Sequence, residues 1–150
     1  MAGKKGRIPQ VVSPTGRHIS SDAVSAAQRT PDKENPSFRF GYADLQNYCL
    51  HHANTEQIEA LVKALAKMER YTWEQVRTSG GQGQHVGGLG YKPVEPTKRM
   101  PRFPSDLPED ATIHEIRVTQ RMRLFGYRED TIFYIIWFDP DHAIFPERNR

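Results

Sequence analysis

The chain has 150 residues, 37% of them apolar and 26% charged, with a formal net charge of +3 and a mean hydropathy of −0.72. That length supports one domain with a real core beside a polar remainder. No stretch approaches the ~20 apolar residues of a membrane span, no apolar run of signal-peptide length follows the basic start, and a single cysteine leaves no intrachain disulfide, so the expectation is a soluble, cytoplasmic protein with no membrane partner.

The charge is unevenly placed. Residues 1–36 hold Lys4, Lys5, Arg7, Arg17, Arg29 and Lys33 against Asp22, Asp32 and Glu34, which accounts for the whole net charge. They are rich in Gly, Ser and Pro and lack apolar periodicity, so they read as a flexible, disordered basic tail, with residues 23–28 no more than a turn of helix. Such a tail is either a solvated segment or an arm for nucleic acid or an acidic partner. Residues 37–150 balance to zero charge and read as a single α+β domain.

Residues 36–42 open that domain, fitting a short edge strand. Asp44 fits the N-cap of a helix from Leu45 to about His52, and Cys49, among Leu45, Tyr48 and Leu50, reads as a small buried hydrophobe rather than a reactive thiol. Asn54 and Gln57 make a capping box, and Ile58, Leu61, Val62, Leu65 and Met68 follow at spacings of three and four. This predicts an amphipathic helix of about four turns, its solvated face carrying the Glu59 and Lys63 pair. Thr72 and Gln75 form a second capping box, opening a short helix with Trp73 and Val76 inward.

Residues 79–90 hold six glycines in twelve positions, and no Gly-Lys-Ser/Thr follows them. They predict a mobile loop rather than a nucleotide-binding fingerprint, with His85 exposed in it. Residues 92–108 contain five prolines and predict an extended connector. Its Lys98, Arg99 and Arg102, around Met100 and Phe103, fit either a linker laid on the surface or a segment that tracks a nucleic-acid backbone.

The last third carries the strongest pattern. Residues 113–124 alternate, with Ile116, Val118, Met122 and Leu124 on one face and Arg117, Thr119, Arg121 and Arg123 on the other. Read as one strand, they set three arginines in a row, with Glu115 the one nearby counter-charge, which suits a phosphate-bearing ligand. Residues 126–130 predict the loop of a hairpin. Residues 131–138 predict a central strand, Ile132, Tyr134, Ile136 and Phe138 on one face and Phe133, Ile135 and Trp137 on the other. The fold class is then α+β, helices packed on a small antiparallel sheet.

Asp139-Pro140-Asp141-His142 ends the second strand. His142 is open to three readings: a general acid or base oriented by Asp139 or Asp141, a metal ligand in a set incomplete without others such as His114, or a turn residue.

Residues 121–142, with Arg121 and Arg123 on a strand, the acidic turn at Glu129 and Asp130, the apolar strand after it and the polar segment ending at His142, resemble the C-terminal half of RelE/ParE-like toxins, in particular small bacterial or phage relatives of that superfamily. A helix pair before the sheet fits the same pattern. The resemblance implies a metal-independent endoribonuclease without cofactor, cutting mRNA, often in the ribosome, and held in check by an antitoxin protein. Arg121 and Arg123 would neutralise the scissile phosphate, His142 would be the general acid or base, and the RNA 2′-hydroxyl the nucleophile. Arg117, Arg128, Lys98, Arg99, Arg102 and His85 would extend the contact with nucleic acid. The other class consistent with the same residues is a non-catalytic nucleic-acid-binding or protein-interaction module that uses the arginine face.

Overall fold

The computed structural model describes residues 10–12, 18–20, 29–78 and 89–145. The expected helical turn at residues 23–28 and the glycine-rich stretch 79–88, with His85, lie outside them, as does most of the expected tail. Two compact units are present, residues 1–30 and residues 31–150. In the first, β1 (Gln10–Val12) and β2 (His18–Ser20) pair antiparallel, Val11 opposite Ile19.

The second unit contains β3 (Ser37–Arg39), α1 (Thr55–Met68), α2 (Trp73–Thr78), β4 (Lys92–Pro93), β5 (Ile113–Arg117), β6 (Arg123–Glu129) and β7 (Ile132–Asp139). Its five strands form one sheet in the order β3-β7-β6-β5-β4. The class is α+β. The sheet is mixed rather than purely antiparallel, because β3 lies parallel to β7, Ser37 opposite Ile132.

α1 begins where the sequence signals it. Asn54 accepts from the Gln57 backbone N–H at 2.8 Å, and the Gln57 side chain accepts from the Asn54 N–H at 3.0 Å. Leu61, Ala64 and Met68 are its buried residues. Val62, expected inward, is 57% exposed. The buried stripe runs through the small Ala64 instead. In α2, Trp73 and Val76 are fully buried, as the spacing predicts.

The helix expected from Leu45 is not formed. Asp44 accepts from the Gln46 and Asn47 N–H groups, satisfying the start of a turn, but the segment then bends through Tyr48, whose φ is 48°. Only a single 3-10 turn, Leu50–His52, follows. Leu45 is 72% exposed, whereas Cys49 is buried and its neighbours Tyr48 and Leu50 pack against different cores, a spacing that no single helix face allows.

The expected strand 113–124 is a hairpin. β5 stops at Arg117 and β6 starts at Arg123, its direct cross-strand partner. Residues 118–122 turn without glycine or proline: the Thr119 hydroxyl accepts from the Met122 N–H at 3.0 Å, and the Val118 N–H donates to the Met122 carbonyl at 3.0 Å. Directly paired residues share a face of a sheet, so Arg117 and Arg123 remain side by side although they are not on one strand.

The turn expected at residues 126–130 narrows to Asp130 and Thr131, with Glu129 opposite Ile132 and Asp130 at φ 57°. Gly126 lies inside β6, where a Cβ would come within 2.5 Å of the Phe133 ring and closer still to the Tyr134 carbonyl oxygen. The register there is irregular: Phe125 pairs with Trp137 but Gly126 with Ile135. Ile136 is the extra residue of a β-bulge, and a bulge reverses the alternation beyond it. Phe133, Ile135 and Phe138 therefore face the helices, whereas Ile136 and Trp137 join a second core. That core, with Leu107, Ile113, Phe125 and Ile144, is covered by Met100 and Phe103 of the proline-rich connector and by Phe145. One strand thus supplies large side chains to two cores, burial of each contributing about 1.5–3 kcal/mol. Both indole N–H groups are satisfied, Trp73 by the Thr131 carbonyl at 2.9 Å and Trp137 by Asp44 at 3.0 Å.

Candidate nucleic-acid interface

On the sheet face away from the helices, at the β4 edge, a cavity of about 460 Å³ is lined by Lys92, Glu115, Arg117, Arg123, His142 and Phe145 among others. β4 brings Lys92 opposite Glu115. β5 and β6 supply the two arginines, and the segment after β7 supplies His142. Three of the sequence-derived candidates thus share one cavity; Lys92 escapes sequence reading because nothing in a proline-rich connector announces a two-residue strand.

The two arginines differ. Arg123 is buried: its Nε donates to Glu115 at 2.9 Å, and its Nη1 donates to the carbonyls of Thr119, Gln120 and Met122 at 2.8, 2.9 and 3.1 Å. It ties the inside of the β5–β6 turn and neutralises a buried carboxylate. Arg117 is exposed, and among the described residues it has no ion pair. Its backbone is held by the Leu89 carbonyl at 2.7 Å, where the chain re-enters from the glycine-rich stretch. Gly90 there has φ 54°, and a Cβ on it would lie 3.2 Å from the Arg117 Cβ, so glycine permits both the backbone turn and the approach.

Arg121 is exposed outside the cavity and pairs with Asp141 at 3.0 Å. Asp139 is fully buried and accepts from the Ala143 and Ile144 N–H groups at 2.9 and 2.8 Å. Both Asp139 oxygens are thus engaged, while Asp141 is paired through one oxygen. The two hydrogen bonds to Asp139 close the turn after β7 and set His142, at φ 53°, on the cavity wall. A non-glycine residue in that region is strained, and such strain gathers at functional positions.

Arg128 is on the opposite face. It donates to Asp32 at 2.6 Å and to the Asp130 carbonyl at 2.8 Å, and its guanidinium lies 4.2 Å over the Trp73 ring. These contacts engage its Nε and Nη2 within the fold. Arg77 also pairs with Asp32, at 2.9 Å. The hydrogen bond from Arg128 holds the Asp32 carboxyl below the usual carboxylate range; burial opposes it and the two guanidinium charges add to it. Arg128 and Arg77 line a second cavity of about 550 Å³ with Tyr91 and His114, whose rings stack at 4.6 Å. Burial pushes the Tyr91 hydroxyl up to about 12 and the His114 imidazole down, so both rings are neutral near pH 7.

Lys98, Arg99 and Arg102 are exposed on the connector and do not line the first cavity. No helix among the described residues is long and apolar enough to cross a membrane. Comparison with protein-family models, with curated proteins and with solved structures gave no match.

Proposed function

We propose that the cavity between β4, the β5–β6 hairpin and the turn after β7 seats a phosphodiester of single-stranded RNA, and that the protein is a RelE-like mRNA endoribonuclease of a toxin–antitoxin pair, acting in the cytoplasm. The observation that carries this reading is that Arg117, Lys92 and His142 line one cavity. The exposed Arg117 guanidinium suits the non-bridging phosphate oxygens, on which negative charge accumulates as the neighbouring 2′-hydroxyl attacks phosphorus. The 5′ oxygen leaves and a 2′,3′-cyclic phosphate forms. His142 takes the proton from the attacking hydroxyl or gives one to the leaving oxygen. No enzyme nucleophile or metal is required by this scheme. Arg123 holds Arg117 in register and acts through it. The antitoxin would cover the cavity with acidic side chains.

The commitment of Arg123 to Glu115 and three carbonyls favours a second reading, a non-catalytic nucleic-acid-binding or protein-interaction module on the same face. Adding the protein to a cell-free translation reaction and mapping mRNA 5′ ends by primer extension separates the two. The nuclease yields new ends that disappear with Arg117→Ala and His142→Ala. Intact mRNA with the parent protein would leave the module.

A further inference from the structure

The segment before α1 gathers a second group of metal-ligating side chains, none of which lines the cavity above. Cys49, His51 and His52 offer one thiol and two imidazoles whose ligating atoms all lie within 4.8 Å of one another. The 3-10 turn Leu50–His52 brings them together: the His52 N–H donates to the Cys49 carbonyl at 3.1 Å, and the two imidazole rings stand 4.2 Å apart. The turn is pinned to the sheet by the Phe138 N–H, which donates to the Tyr48 carbonyl at 2.9 Å, and Tyr48 holds its left-handed backbone beside Cys49. This anchoring fixes the backbone beside the buried sulfur, while both histidines are exposed.

We propose that Cys49, His51 and His52 form a binding site for one zinc-class divalent cation, with three protein ligands and a fourth position open. Metal–sulfur and metal–nitrogen bonds of about 2.3 and 2.0–2.1 Å imply donor separations of about 3.3–3.6 Å in a tetrahedral site. The exposed imidazoles therefore have at most about 1.2–1.5 Å to close, a distance within the reach of side-chain rotation. One thiolate with two imidazoles selects zinc, cobalt, nickel or copper over magnesium and calcium, which prefer oxygen. Cys49 and His52 also line a hollow of about 220 Å³ shared with Asp141 and Ala143, large enough for water or an external ligand at the open position. His51 approaches from the side of the neighbouring apolar groove. Binding displaces the thiol proton to solvent, and no redox change is involved.

The chain's one cysteine makes the test selective. Co²⁺ is titrated into the full chain under a non-thiol reductant, and the thiolate-to-cobalt charge-transfer band and the visible ligand-field bands are recorded. One equivalent should bind with both signatures, and Zn²⁺ should displace it. His51→Ala and His52→Ala, exposed positions that leave the fold intact by circular dichroism, should each weaken Co²⁺ at least tenfold. Cys49→Ser should abolish the charge-transfer band. Absence of that band in the parent protein, or unchanged affinity in both histidine variants, would overturn the proposal. RNA cleavage is read separately, so either conclusion can fail without the other.

Discussion

Arg117 and Arg123 face each other across the β5–β6 hairpin, and Glu115 pairs with only one of them. Like charges directly opposed on a sheet repel, and burial of an ion pair stabilises only when the remaining hydrogen bonds are made. Both conditions are met by sending Arg123 inward to a carboxylate and three carbonyls, which leaves Arg117 as the outward cation.

Arg123→Leu strands the Glu115 carboxylate in a buried site. The expected loss is about 3–5 kcal/mol of stability, read from urea unfolding midpoints. Replacing both residues by leucine should recover part of it, since the uncompensated charge is then gone; a double variant no better than Arg123→Leu would mean that the carbonyl contacts dominate.

RNA affinity should divide the arginines. Arg117→Ala is expected to weaken a single-stranded oligonucleotide about fivefold and to lower the salt dependence by about one counterion. Arg128→Ala should change affinity little while reducing stability. Fluorescence anisotropy across a salt series measures both, and equal effects of the two variants would remove the cavity from the binding site.

Gly126→Ala forces a methyl group against the Tyr134 carbonyl and the Phe133 ring, neither of which is the end of a flexible chain. About 3 kcal/mol or more of destabilisation is expected. A midpoint within experimental error of the parent's would show that the β7 bulge relaxes to admit it.

Asp32 ties the segment before β3 to Arg128 and Arg77. Its folded pKa is depressed, so its stabilising contribution is complete above the unfolded value of about 3.9 and is lost as pH falls through the lower folded value. Asp32→Asn should therefore be less stable than the parent at pH 7, and the difference should shrink in acid below about pH 4. Parallel stability curves for the two proteins would contradict this assignment.

Local chemistry explains what the sequence reveals and what it conceals. The α1 start is legible because Asn54 and Gln57 satisfy each other within four residues, and Trp73 and Val76 because a short capped helix has one way to face a core. The β5–β6 turn is hidden because Arg123 and Thr119, rather than glycine or proline, make it, and their alternation continues unbroken through it. The Ile136 bulge leaves no mark in an all-apolar strand. Of the candidate site, Arg117, Arg123 and His142 are legible as cavity residues. The internal roles of Arg123 and Arg128 are not, since an arginine's partners, here Glu115 and Asp32, are chosen by the fold. Cys49, His51 and His52 stand together in the sequence, but only the turn that replaces the expected helix gathers their donor atoms.

The parallel pairing of β3 with β7 has a consequence for the birth of the molecule. Ser37 leaves the ribosome long before Ile132, yet each is the other's neighbour. Both helices and the β5–β6 hairpin must wait during synthesis with their apolar faces unsealed, because the strand that serves both cores is translated last among the five. Closure of that long loop is slow compared with local turns, and a nascent chain halted before residue 132 would present Trp73, Leu124 and Phe125 to chaperones rather than to a core.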